Sequence, residues 1–249
     1  MSRAVRIPPV DDLERLTAPN PGPMTLEGTN TYVVGRDPAV VIDPGPDDAG
    51  HIQAIRRAAE ARGGIGTVLL THDDADHLAG AEPLGIEPAR PGDGETVAGL
   101  TAIATPGHAA EHLSFLLPDG EGRFACFCGD LILGDGSTIV GPRRLGGSLA
   151  DYMRSLERLR KLDLTVLFPG HGPEVDDPRV KINEYIEHRM MRERRLVAAL
   201  ERGERSRLAL LDEVWDDVPE QLRPAAAIAM EAHLEKLDEE SRLPPDLRD

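Results

Sequence analysis

The chain has 249 residues, a formal net charge of −16 at pH 7, and 40% hydrophobic residues with only four Phe, three Tyr and one Trp. That composition supports a core packed from Val, Leu, Ile and Ala, in one large domain or a domain with an appendage. So acidic a chain is repelled at long range by nucleic acid and anionic membranes, so an anionic substrate has to meet a local basic patch or bound cations.

In chain order, residues 31–34 and 39–42 predict a hairpin around Gly35-Arg36-Asp37-Pro38, ended by Asp43-Pro44-Gly45-Pro46. Residues 51–62 have helical spacing, with Ile52 and Ile55 on one face and Gly63-Gly64 as the stop. A strand over 67–70 then runs into a loop. Further strands are predicted at 101–104, 113–117, 124–128 and 165–168, with an amphipathic helix over 149–162. This alternation suggests two sheets with helices outside, an αββα sandwich. From about residue 180 Gly becomes sparse, and helices are predicted at 180–200, 208–215 and 219–237, the last with Pro219 and Pro224 near its start.

Cys126 and Cys128 form a Cys-x-Cys on a predicted strand. They are expected to point to opposite faces, not to bridge each other, and to serve as small buried hydrophobes rather than as a soft metal site. No disulfide framework is implied, which fits a reducing compartment. The first thirty residues hold no apolar run of signal-peptide length, and no stretch approaches the roughly 20 apolar residues of a membrane span. A cytoplasmic location, away from membranes, is expected.

The loop after the 67–70 strand reads His72-Asp73-Asp74-Ala75-Asp76-His77. His72, Asp74, Asp76 and His77 are side chains of the kind that hold hydrolytic zinc, iron and manganese. Three more candidates sit at strand-to-loop positions beside glycine: His108 after Gly107, Asp130 after Gly129, and His171 after Gly170. A lone His-x-Asp spacing would carry no weight; the ordered set does.

This set resembles the metallo-β-lactamase superfamily, whose His-x-His-x-Asp-His run is followed by a His, an Asp and a His. Here Asp74 replaces the second His of the run. Three further segments, Asn20-Pro21-Gly22-Pro23-Met24-Thr25-Leu26-Glu27-Gly28-Thr29-Asn30-Thr31-Tyr32, Tyr152-Met153-x-Ser155-Leu156 and Tyr185-Ile186-x-His188-Arg189, are most similar to the β-lactamase-like protein 2 branch. The resemblance implies an α/β metallohydrolase domain over 1–178 with the αββα architecture, and a small helical, winged-helix-like region over 179–249.

By the same resemblance, His72, residue 74 and His108 would hold a first metal. Asp76, His77 and His171 would hold a second, and Asp130 would bridge both. Asp76 and Asp130 are then the catalytic acids, and two divalent ions, zinc by expectation, would supply a metal-bound hydroxide. The carboxylate of Asp74 makes the centre one unit less positive than the usual set. That weakens it as a Lewis acid and tilts preference toward manganese, iron or magnesium. Asp is also shorter than His, so the first position could be weak or empty, with Asp74 outside the ligand set.

Around these residues, Asp43 is read either as a partner for a ligand imidazole or as a turn residue before Pro44-Gly45. His112 is read as touching the site or facing solvent, and His188 as lying near the substrate entrance. His51 and His233 are expected on helix surfaces. Arg189, Arg192, Arg194 and Arg195, with Glu187 and Glu193 among them, form either a solvated salt-bridged face or a patch guiding an anionic substrate. The third C-terminal helix is too acidic to read DNA, so packing against the core or a second subunit is expected instead, and a homo-oligomer through these helices follows.

The function expected is metal-dependent hydrolysis, with single-stranded RNA as substrate by resemblance to the nearest branch. A thioester or lactone substrate, as in glyoxalase II-like enzymes, is the alternative. A metal-poor, non-catalytic protein disabled by Asp74 is the third reading. β-Lactam hydrolysis is disfavoured because the chain shows no export signal.

Overall fold

The computed structural model describes residues 12–247, so the ends of the expected domains, 1–11 and 248–249, lie outside the described residues. Strand β1 (Leu13–Thr17), which sequence patterning does not reveal, pairs antiparallel with β2 (Asn30–Val34). The expected hairpin forms, with β2 antiparallel to β3 (Ala39–Ile42) and Tyr32 opposite Ile42. Helix α1 (Ala49–Glu60) begins at Asp48, whose side chain accepts from His51 N, and crosses over to β4 (Ile65–Leu69), parallel to β3. The N-cap carboxylate satisfies one of the free N–H groups of the first turn.

After the short helices α2 (Ala75–Leu78) and α3 (Ala81–Leu84), the second sheet runs β5 (Thr96–Val97), β6 (Leu100–Ala104), β7 (Leu113–Pro118) and β8 (Phe124–Gly129). Helix α4 (Leu149–Arg160) then crosses to β9 (Leu164–Pro169), parallel to β8. The sheets have strand orders β1-β2-β3-β4 and β5-β6-β7-β8-β9.

Alternation of side chains along each strand builds three apolar layers. Between the sheets, Tyr32, Val34, Val40 and Ile42 meet Phe115, Phe127, Val166 and Phe168. Outside the first sheet, Val33 and Val41 pack on Ile52 and Ile55 of α1. Outside the second, Ile103, Leu116 and Leu167 pack on Leu156 and Leu159 of α4 and on Ile182 of α5 (Pro178–Glu201). This is the αββα sandwich expected. Leu156 and Leu159 are fully buried, and truncating either to Ala would cost about 2–5 kcal/mol.

The cysteines correct one expectation. Residues two apart on a strand share a face, and Cys126 and Cys128 both point into the layer under α4. They are free and buried, and burial pushes the Cys126 thiol up to about 12.

Beyond α5, helices α6 (Arg207–Val214) and α7 (Arg223–Glu239) complete a three-helix region with its own apolar cluster of Leu196, Leu200, Leu210, Trp215, Met230 and Leu237. A single 3₁₀ turn at Glu220–Leu222 precedes α7, where one continuous helix was expected. Among the described residues no strand follows β9, so the three helices stand without the two-stranded wing that gives the winged helix its name. Also among the described residues, no helix is long and apolar enough to cross a membrane.

Candidate metal centre

All seven expected ligands converge at one edge of the sandwich, where β4, β8 and β9 end. His72 follows β4, Asp76 and His77 lie in α2, Asp130 follows β8, and His171 follows β9. Three sets of ligand atoms lie within 4.8 Å of one another: His72, Asp74 and His108; His72, His77 and Asp130; and Asp76, His77 and His171.

In the second set of the expected pair, His77 Nε2 and His171 Nε2 are 3.3 Å apart, and Asp76 Oδ2 lies 3.4 Å from His171 Nε2 and 3.7 Å from His77 Nε2. Two imidazole nitrogens each 2.0–2.1 Å from a tetrahedral ion would sit about 3.3 Å apart, so this spacing fits a shared cation. In the first set, Asp74 Oδ2 lies 3.5 Å from both His72 Nε2 and His108 Nε2. The shorter side chain therefore comes within ligand spacing of both rings. Asp130 stands between, with Oδ1 3.5 Å from His77 Nε2, and Oδ2 3.3 Å from His171 Nε2 and 3.9 Å from His108 Nε2.

The residues fit divalent cations on a second count. His72 Nε2 and Asp130 Oδ1 are sealed from solvent and have no hydrogen-bond partner. A buried polar atom without a partner is costly, and a cation in the cluster would satisfy both.

Each imidazole is oriented through its other nitrogen. His77 Nδ1 pairs with Asp43 Oδ2 at 3.0 Å, His72 Nδ1 with Thr71 Oγ1 at 2.9 Å, His108 Nδ1 with the Ile139 carbonyl at 2.9 Å, and His171 Nδ1 with the Gly28 carbonyl at 3.2 Å. Such partners fix tautomer and ring orientation, which leaves Nε2 of each ring for the cation. Asp43 is thus more than a turn residue: its carboxylate also accepts from Thr71 N and Thr71 Oγ1, both at 2.7 Å.

Charge coupling within the cluster is strong. Burial alone would lower the His77 pKa, but Asp130, Asp43 and Asp76 outweigh it and raise the group to about 10. Burial likewise opposes the charged forms of His108 and His171. Asp74 and Asp130 still raise His108, and Asp130 raises His171. The His108 and His72 rings hold Asp74 below the usual carboxylate range.

Glycines keep the ligands close. A Cβ at Gly170 would lie 2.4 Å from Asp130 Oδ1 and 2.7 Å from His77 Cε1. Gly107, at φ +139, has its missing Cβ 2.3 Å from the Tyr152 Cα, so α4 rests directly on the turn that presents His108.

The structure settles the remaining histidines. His112 is buried, stacked at 5.2 Å on His72, with Nδ1 on Thr105 Oγ1. His51 and His233 are also buried, against expectation. His51 Nε2 pairs with Thr31 Oγ1 at 2.8 Å, and His233 lies edge-on to Trp215. Sequence reasoning missed Thr29, which donates to Asp76 Oδ2 at 3.0 Å, and Thr71; the Gly28-Thr29-Asn30 stretch lay within a resembling segment but gave no role.

The arginine cluster divides. Arg194 and Arg195 are paired with Glu187 and Asp216 at the surface, whereas Arg189 and Arg192 are buried, which the salt-bridged-face expectation did not foresee. Both line a cavity of about 330 Å³ that opens beside Asp74, Asp76, His108, Asp130 and His171. Its other walls come from Met24, Leu133, Ile139, His188, Trp215, Val218, Leu222 and the Ala225, Ala226 and Ala229 side of α7. The C-terminal helices therefore close the space in front of the metal cluster.

Residues 24–87 and 82–171 match the family model described as the metallo-β-lactamase superfamily. The chain is 35% identical to a β-lactamase-like protein 2 homolog of Caenorhabditis elegans, over 91% of this chain and 84% of that protein. It is also 35% identical to an atrochrysone carboxyl ACP thioesterase of Aspergillus fumigatus, over 83% and 71%. A crystal structure of a metallo-β-lactamase family protein from Thermus thermophilus superposes with a TM-score of 0.74 at 25% identity, covering 92% of this chain and 94% of that one.

Proposed function

The chain belongs to the metallo-β-lactamase superfamily, and on that footing we propose that it is a metal-dependent hydrolase of small acyl thioesters. The observation that carries the reading is the cavity joined to the His/Asp cluster. At about 330 Å³ it is at the small end of ligand sites, walled by Leu133, Ile139, Trp215, Val218, Leu222 and the alanines of α7. Such walls suit an acyl group. The thioesterase among the relatives supports the same bond type.

When bound, divalent ions supply Lewis acidity, making water easier to ionise and carrying charge that develops on a carbonyl oxygen. The chain's own residues do the rest. Asp76, held by Thr29 Oγ1, and Asp130 present carboxylates to the cavity, where they orient the attacking water and accept its proton. Water adds its oxygen to the acyl carbon, the C–S bond breaks, and the leaving sulfur takes a proton, giving acid and thiol.

Single-stranded RNA fits less well. A net charge of −16 opposes encounter with a polyanion. Helices α5 and α7, with the segment between them, serve as a wall of the substrate site. Thiol release from a panel of acyl thioesters, beside cleavage of a fluorogenic single-stranded RNA, tests the reading on metal-loaded protein. Thioester turnover abolished by chelator is expected; RNA cleavage with no thioester turnover would overturn it.

A further inference from the structure

Arg189 is only 5% exposed, yet among the described residues no carboxylate lies within ion-pair distance of it. Its Nη2 donates to Ser137 Oγ at 3.1 Å and to the Thr138 carbonyl at 2.5 Å, and the guanidinium lies 5.4 Å from the Tyr152 ring centroid. Nε is sealed and unpartnered, and the Tyr152 hydroxyl is the other polar side chain against the guanidinium. A guanidinium out of water without an anion is costly, and such charges are ordinarily paired. Neighbouring Arg192 shows the contrast: it is as deeply buried but pairs with Asp217 at 2.7 Å.

This unpaired charge borders the cavity that the metal cluster also borders, together with His188. The His188 ring is held down to about 4 by burial and then by the two guanidinia, so it is neutral at pH 7. Its Nδ1 is sealed from solvent and has no hydrogen-bond partner. The cavity thus has two polar regions of opposite character, joined by apolar wall. One is the acidic, cation-binding cluster of Asp74, Asp76 and Asp130; the other is the donor group of Arg189 and His188.

We propose that Arg189, assisted by His188, is a specificity-determining residue that binds an anionic group of the substrate, a carboxylate or a phosphate, while the scissile carbonyl lies at the His/Asp cluster. The inference rests on the thioesterase reading for the reaction, but the anion site itself does not. A guanidinium suits either oxyanion, because its planar N–H fork matches two oxygens. The substrate class is therefore a small acyl thioester bearing a negative charge on one side of the scissile bond.

Two substrate pairs distinguish the source of the charge. Glutaryl and hexanoyl thioesters of N-acetylcysteamine differ in a carboxylate on the acyl side. Hexanoyl thioesters of phosphopantetheine and pantetheine differ in a phosphate on the thiol side. For one of these pairs the charged member should have the higher kcat/KM, by about tenfold or more, the size expected of a charge-assisted hydrogen bond. Arg189→Gln keeps an amide donor for Thr138 and removes the charge. It should collapse that ratio toward one.

Loss of activity on both members alike would show Arg189 to be only a brace for the 137–139 segment, and would overturn the proposal. So would a ratio near one in both pairs for the wild type. If no thioester of any kind is turned over, the functional reading fails, and the anion site is judged by binding alone: calorimetric titration of glutarate and of inorganic phosphate into zinc-loaded protein. Binding of either that weakens about tenfold in Arg189→Gln, with His188→Ala as the milder variant, upholds the site. Equal binding in wild type and Arg189→Gln refutes it. Should Arg189→Gln fail to fold, the same comparison is made with His188→Ala, for which an unchanged ratio and unchanged binding count against the proposal.

Discussion

Asp43 Oδ2 and His77 Nδ1 lie 3.0 Å apart, both buried, and the same carboxylate holds the backbone and hydroxyl of Thr71. One acid at the end of β3 therefore fixes a ring in each half of the cluster. It holds His77 directly, and it holds His72 through the Thr71 hydroxyl. Asp43→Asn preserves shape but cannot accept from both His77 and Thr71 N without turning its amide N–H₂ toward a donor. Metal affinity at the Asp76, His77 and His171 position should fall about 10–100-fold. Competition with a chromogenic chelator measures this; unchanged affinity in a folded variant would remove Asp43 from the account.

The metal-free protein should lose stability as the solution becomes alkaline. The His77 pKa is raised in the folded state, from 6.5 to about 10, because Asp130, Asp43 and Asp76 outweigh the effect of burial. A raised group stabilises fully below its unfolded value and loses that contribution as pH climbs through the folded value. Melting temperatures of chelator-treated protein should therefore fall between pH 6.5 and 10. Metal displaces the same proton, so apparent metal affinity should rise over that range. Metal-loaded protein should melt higher, with a flatter pH dependence. Parallel slopes in the two forms would contradict this coupling.

On the acid side His51 contributes beside His188, His112 and His233, which burial also holds low. His51 is lowered to about 4, chiefly by burial. Thr31 Oγ1 spends its proton on the Asp43 carbonyl, so the His51 Nε2–H donates to Thr31 and the sealed Nδ1 has no partner. The unfolded chain takes up a proton below about 6.5 that the folded chain refuses until about 4. Stability should drop across that window by up to about 3 kcal/mol, and His51→Gln should flatten the slope. Denaturant titrations from about pH 7 down to about pH 4 provide the comparison; equal slopes would assign the acid sensitivity to other groups.

The strands and helices around the cluster were legible because local patterns agreed with the final layers. The apolar run 39–42 forms the expected strand and is buried on both faces, and the helical spacing of Ile52 and Ile55 buries one face of α1, as expected. Strand β1 lacked such a signal: it has Leu13 and Leu16 buried on opposite sheet faces, with Glu14 and Arg15 between them, so no alternation shows in its five residues. His233 shares a helix face with buried Ala229, Met230 and Leu237, and His51 precedes buried Ile52 and Ile55, so the apolar spacing around each was a signal that the polar character of the imidazole masked. The burial of Arg189 depends on the 137–139 segment, some fifty residues earlier in the chain, folding under α5.

The departure at position 74 has a chemical consequence for metal preference. Asp74→His exchanges a carboxylate for an imidazole and makes the centre one unit more positive. Zinc should gain relative to manganese as the activating ion, and the acidic limb of the pH–rate profile should move to lower pH. Activity profiles with each metal decide; identical profiles would place residue 74 outside the centre.

Elemental analysis of purified protein beside Asp74→Ala decides whether the seven side chains form a two-cation site completed by Asp74. Asp74 Oδ2 stands 3.5 Å from Nε2 of both His72 and His108, so removing it should release one ion and spare the other. The predicted result is about two divalent ions per chain in the wild type and about one in the variant. Wild-type protein that saturates at one ion or none, or an Asp74→Ala variant that retains both, would contradict the account.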